Sequence, residues 1–200
     1  MKDYTIQEFV EKLLIPDLKT MIDLQLHYYA FSVICQASEL LGGVFDHKET
    51  SDFGMSDKRF EKALEELFKN DLYRAWKGLF FEFLRGPLVH QMRPGEKFVL
   101  ASVAKDNIDP KNHLQKDEHG RVILIIEPFF ADFIEAYDRF KRVLATRTDL
   151  DHSKTNKPFI SVSEVKAPVT NRKWDAITKA EIAIPQQVTG QYIPPRNESD

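Results

Sequence analysis

A lone cysteine, Cys35, leaves no partner for an intrachain disulfide and too few thiols for a cysteine-based zinc site. It lies in the apolar run Phe31-Ser32-Val33-Ile34-Cys35, where a small packing residue is expected rather than a nucleophile. No stretch approaches the roughly 18 apolar residues that a membrane-crossing helix needs. Met1-Lys2-Asp3-Tyr4 leads straight into an amphipathic segment with no apolar leader, so a cytoplasmic protein without a membrane partner is expected. An excess of one charge is also lacking. With 28 Lys and Arg against 31 Asp and Glu, the net charge is -3, and a nucleic-acid partner would have to be held by a local patch. There is no glycine-rich phosphate loop, no serine nucleophile elbow and no helical pair of zinc ligands. Triphosphate hydrolysis, acyl transfer and zinc proteolysis are therefore without support.

What is present is apolar patterning with a helical period. The 200 residues are 42% hydrophobic and 12% aromatic, enough for one sizeable core and too few for two generous ones. Thr5-Ile6-Gln7-Glu8 has the spacing of a capping box and opens a short amphipathic helix expected to end near Pro16. A thicker apolar pattern predicts a central helix from Asp17 to about Leu41. Ser56 or Asp57 is placed to cap a third helix, and a fourth carries Tyr73, Trp76, Leu79, Phe80, Phe83 and Leu84 to a break at Gly86-Pro87. The β-rich runs at 97–103 and 121–126 predict a small β-hairpin, and the stripe Phe130, Phe133, Ile134, Tyr137, Phe140 and Leu144 predicts a last long helix.

The fold expected is thus mainly α: an up-and-down bundle of about five helices over residues 1–149, with the hairpin at about 97–126. Five prolines punctuate the polar remainder, which predicts an extended, partly disordered C-terminal arm over 150–200, available to a protein partner or a second subunit.

The segment Arg85-Gly86-Pro87-Leu88-Val89-His90 carries the most chemistry. In an unbroken helix, side chains five residues apart lie about 140° from each other, whereas a bend at Gly86-Pro87 would let them share one cleft. A permanently charged guanidinium can hold phosphate oxygens and stabilise added negative charge, and an imidazole can give or take a proton. Together they suit phosphodiester cleavage with an RNA 2′-hydroxyl as the internal nucleophile and no cofactor. Arg93, just beyond, would extend a phosphate-binding surface.

Over residues 5–147 the chain resembles the HEPN superfamily of helical bundles, whose signature is Arg, four to six residues, then His; Arg85 and His90 match its two positions. The resemblance implies a metal-independent endoribonuclease or RNA-binding protein, commonly a homodimer whose Arg/His pairs meet across the interface, and often part of toxin-antitoxin or defence systems. His90 would be the general acid/base and Arg85 the phosphate and transition-state ligand. Where the family frequently has a polar residue after the Arg, this chain has Gly86, so Arg85 is oriented in another way or cleavage is lost. The alternative is a noncatalytic helical module that binds a partner protein.

Other residues weigh less. His27 sits in the thick helix as a core or interface residue, His113 and His119 flank Asp117-Glu118 without a third fixed metal ligand, and Trp76 falls in the apolar register. Trp174 is a candidate for base stacking. Asp138, Arg139, Lys141, Arg142 and Arg147 form a charged helix end that fits ordinary solvation or an RNA path.

Overall fold

A computed structural model describes residues 2–48, 54–150 and 152–162. The fold is mainly helical with a small two-stranded sheet ahead of the last long helix, the class the patterning predicts. Thr5 opens helix α1 (residues 6–23) with the reciprocal capping bonds: Glu8 N–H donates to Thr5 Oγ1 at 3.2 Å and Thr5 N–H donates to Glu8 Oε2 at 3.2 Å.

Pro16 does not end α1. The helix runs over Ile6–Phe9, widens into a π turn at Val10–Leu14 and resumes over Ile15–Asp23. Proline offers no N–H to the carbonyl four residues back and its ring crowds that carbonyl; one wide turn absorbs both effects. The chain turns instead at Leu24-Gln25-Leu26. Gln25 takes φ 59°, and bonds from Gln25 N–H to Ile22 O (2.9 Å) and Leu26 N–H to Met21 O (2.8 Å) close a Schellman turn. The continuous helix expected from Asp17 is therefore split, at a corner whose flanking residues are apolar and which no Gly or Pro marks.

Helix α2 (His27–Gly42) packs along α3 (Ser56–Glu66). Gly42 permits the approach, since a Cβ there would stand 1.8 Å from Arg59 O. The N-cap of α3 is Met55, without a side-chain bond, rather than Ser56 or Asp57. Asn70 Oδ1 accepts from Leu72 N–H at 3.0 Å and starts α4 (Asp71–Ala75).

The expected break at Gly86-Pro87 is also absent. Helix α5 (residues 77–91) passes from Lys77–Phe80 through a π turn at Phe81–Arg85 into Gly86–Gln91, with Gly86 helical at φ -57°, and stops at Met92, φ 56°. As at Pro16, the wide turn comes just ahead of the proline.

Strands β2 (Phe98–Ala101) and β3 (Val122–Ile125) run parallel, Phe98 beside Val122, and so do not form the expected hairpin. The segment between them contains the short helix α6 (Val103–Asp106) and a 3-10 turn at Pro110–Asn112, and is long enough to cross back to the same edge. Helix α7 (Ile126–Thr146) buries Phe129, Phe133, Ala136, Phe140 and Leu144; Phe129 rather than Phe130 heads the stripe. Its Phe129 ring lies 5.9 Å from Phe31 and 6.2 Å from Tyr73, in a core shared with Phe60, Leu64 and Phe80. Burying each such side chain contributes about 1.5–3 kcal/mol.

After Asp149 the chain stays on the bundle as far as it is described: α8 (Ser153–Asn156) is followed by β4 (Ile160–Val162), antiparallel to β1 (Lys2–Tyr4). Residues 163–200, with Trp174, lie outside the described residues. No helix among the described residues is long and apolar enough to cross a membrane.

Candidate functional site

The π turn that accommodates Pro87 brings Arg85 in against α2. The side chain is 12% exposed, its Nη2 lies 2.5 Å from Glu39 Oε2, and its guanidinium carbon stands 5.7 Å from the centre of the Phe81 ring. The ion pair is close but poorly aligned for a hydrogen bond, so Glu39 Oε2 and Arg85 Nε are both buried without a hydrogen-bond partner. Buried polar atoms of this kind are uncommon enough to call for an explanation. Both residues, with Gln36, Leu40, Gly43 and Arg59, line a cavity of about 190 Å³.

The other arginine of that cavity is held differently. Arg59, 5% exposed, donates from Nε to Asp46 Oδ2 at 2.6 Å. Lys154 reaches the same carboxylate at 3.0 Å and also donates to the carbonyls of Asp46 (2.6 Å) and Gly43 (3.1 Å). Burial pushes the Asp46 carboxyl up, but hydrogen bonds from Arg59 and Lys154 more than offset that and hold it below the usual carboxylate range. This cluster ties the end of α2, the start of the following loop and α8 to α3.

His90 is exposed one and a half turns beyond Arg85, and no hydrogen bond joins them among the described residues. The stretch Gly86–Gln91 is regular helix, so the bend that would have brought ring and guanidinium together does not occur. About 100° per residue sets them about 140° apart. Arg93 is exposed too, and its Nε donates to Gln91 Oε1 at 3.2 Å. A single chain thus offers an inward cation at the cavity and an outward imidazole at the end of the same helix.

A second polar cluster lies under the strand crossover. Tyr73 Oη donates to Asp132 Oδ2 at 2.6 Å, with His113 Nε2 3.1 Å from the hydroxyl and 3.3 Å from the carboxylate. Ile125 N–H donates to His113 Nδ1 at 3.1 Å, which places the ring's proton on Nε2. Burial pushes the Tyr73 phenol well up, and the Asp132 charge adds to it, so the hydroxyl stays a donor. With both ring nitrogens engaged, His113 pins the crossover. Glu127 does similar work, accepting from Ser102 Oγ at 2.7 Å and Val103 N–H at 2.9 Å at the start of α6. Among the described residues no three His, Cys, Asp or Glu side chains converge as a metal site. His27 is buried in α2, Cys35 is buried with burial pushing its thiol up, and Trp76 is half-buried against the core with Lys116 5.7 Å over its ring.

Sequence reasoning missed Glu39, Gln36 and Arg59. One signal was available: Glu39 is the sole Asp, Glu, Lys or Arg between His27 and Gly42, a charge set in an otherwise apolar and neutral helix. The chain matches no family model, no curated protein and no solved structure.

Proposed function

We propose that this chain is a HEPN-like RNA-binding protein in which Arg85 receives a phosphate of a single strand at the rim of its cavity and His90 lies further along the strand's path. The observation that carries the reading is the state of Arg85: a guanidinium largely withdrawn from water, paired with Glu39 at 2.5 Å, in the wall of an open cavity. Exposed Arg93 adds positive charge beyond His90.

Metal-independent cleavage demands more. One phosphate must be within reach of both imidazole and guanidinium, and about 140° of helix separates them in one chain. In this reading a cut requires two copies, with the exposed His90 of one facing Arg85 of the other.

The test is titration of labelled single-stranded RNA, with EDTA present, followed by gel analysis of the strand. Binding that weakens steeply with salt and falls at least tenfold on Arg85→Ala is expected. Cleavage that disappears in His90→Ala would establish the nuclease; absence of RNA binding by the folded wild-type chain would dismiss the whole reading.

A second reading, the noncatalytic interaction module, is favoured by a different surface. At the α1–α2 corner Leu24 is 65% exposed, and Leu26, Tyr28 and Tyr29 are exposed beside it. If this corner associates with protein, Leu24→Ser with Tyr28→Ser should lower the mass seen by light scattering. An unchanged mass counts against it.

A further inference from the structure

Arg85 is closed to a ligand as it stands. Its Nη2 lies 2.5 Å from Glu39 Oε2, the two side chains are only 12% and 18% exposed, and Arg85 Nε and Glu39 Oε2 are both out of reach of water. A strand phosphate would need the guanidinium that the Glu39 carboxylate already holds, and two anions side by side there repel each other. They compete: one is seated only when the other has left.

The structure gives Glu39 both a weak hold and a way out. Asp46, which holds the cavity's other arginine, accepts from Arg59 at 2.6 Å, from Lys154 at 3.0 Å and from the Lys48 N–H at 2.8 Å. Among the described residues Glu39 has one ion pair, in which Oε2 makes no hydrogen bond. A carboxylate in register with a guanidinium takes two parallel hydrogen bonds; this one touches a single nitrogen and leaves Nε unbonded. Glu39 is also the sole Asp, Glu, Lys or Arg of α2, so no second charge on that helix anchors it. Gly43, one turn on and in the same cavity wall, puts no side chain in the path of the carboxylate. The cavity, about 190 Å³, is several times the size of a single water and has room for a phosphate group.

A phosphate suits Arg85 better once Glu39 has swung aside. Its oxygens can take Nη2 and Nε together, the bidentate geometry that Glu39 misses. Against that stands the cost of opening a mostly buried ion pair, which every ligand at this site has to meet. Glu39 therefore lowers the affinity of the site it helps to form.

We propose that Glu39 is a built-in competitor for phosphate at Arg85, an autoinhibitory carboxylate that keeps the site shut until a phosphodiester strand displaces it. The proposal rests on the RNA reading for its ligand and goes beyond it, because the site binds more tightly without its own acid.

The experiment follows labelled single-stranded RNA by fluorescence anisotropy and inorganic phosphate by phosphorus NMR, with the full-length wild type and its variants. Glu39→Gln should bind RNA about tenfold more tightly than the wild type, or better. Glu39→Asp keeps the charge but draws it back by one methylene; it should show a smaller gain, and it carries the test if Glu39→Gln does not fold. In an Arg85→Gln background Glu39→Gln should change affinity by less than about twofold, since nothing is left to compete for. Glu82→Gln removes the same charge at an exposed position of α5 and should also change affinity by less than about twofold, which separates competition from a general attraction of RNA to a less acidic protein. Phosphate should follow the same order. Equal RNA binding by wild type and Glu39→Gln would overturn the proposal and leave the RNA reading standing. So would a gain that survives Arg85→Gln or that Glu82→Gln reproduces. RNA bound by neither protein, with phosphate bound about tenfold more tightly by Glu39→Gln than by the wild type, would remove the RNA reading and keep the competitor. Neither probe bound by Glu39→Gln would remove both.

Discussion

Two arginines share one cavity and are used in opposite ways. Arg59 is clamped by Asp46 at 2.6 Å, and the same carboxylate is tied to Lys154, a residue 108 positions further along the chain. Arg85 has Glu39 at a comparable distance, but in an alignment that leaves a buried donor and a buried acceptor unused. The first arrangement spends its hydrogen bonds on joining loop, helix and C-terminal segment. The second leaves one donor and one acceptor without hydrogen bonds, both sealed from water. A buried ion pair alone is weak testimony for stability or for function; what distinguishes these two is whether the remaining polar atoms are satisfied.

The contrast can be broken most violently at the clamp. Arg59→Ala leaves Asp46 and Lys154 around a hole and should cost about 3–5 kcal/mol in urea unfolding. Gly42→Ala attacks the same end through the backbone: its Cβ would stand 1.8 Å from Arg59 O, so α2 and α3 must part, at a cost of about 3 kcal/mol or more. Arg85→Ala should be milder, about 1–3 kcal/mol, because it strands Glu39, which is 18% exposed. Replacing both partners, Glu39→Gln with Arg85→Gln, should stay within about 1 kcal/mol of the wild type.

The smallest effect expected is on pH dependence. The folded Asp46 carboxyl sits below its unfolded value, so its contribution is fully present above the unfolded pKa of about 3.9 and disappears as pH falls through the lower folded value. Acid unfolding of Asp46→Asn should therefore show a shallower stability slope below about pH 4 than the wild type; identical slopes would contradict the clamp.

The sequence is legible where the cause is local. The Thr5/Glu8 box and most of the α7 stripe follow from residues within one or two turns of their neighbours. Pro16 and Pro87 mislead because their penalty is local but its relief is not. A π turn keeps each helix going, and core packing of Val10 and Leu18 at one proline, and of Leu84 and Leu88 at the other, holds the continued helix in place. The strands at 98–101 and 122–125 are recognisable from composition, whereas their parallel direction depends on the crossover that Tyr73, His113 and Asp132 pin. At the candidate site, Arg85 and His90 are legible as residue types at a spacing. Their separation around an intact helix, and the Glu39 that holds Arg85 from 46 positions earlier, are tertiary facts.

If the RNA reading holds, Arg85 serves a ligand phosphate rather than the fold. Fluorescence anisotropy of a labelled single-stranded RNA, titrated at fixed salt with wild type and with the Glu39→Gln/Arg85→Gln pair, tests this most directly, because the pair removes the charge without stranding its partner. Affinity lower by at least tenfold with an unchanged urea midpoint is the expected result. Equal affinity, or a midpoint that collapses while RNA binding per folded molecule persists, would make Arg85 a structural residue like Arg59.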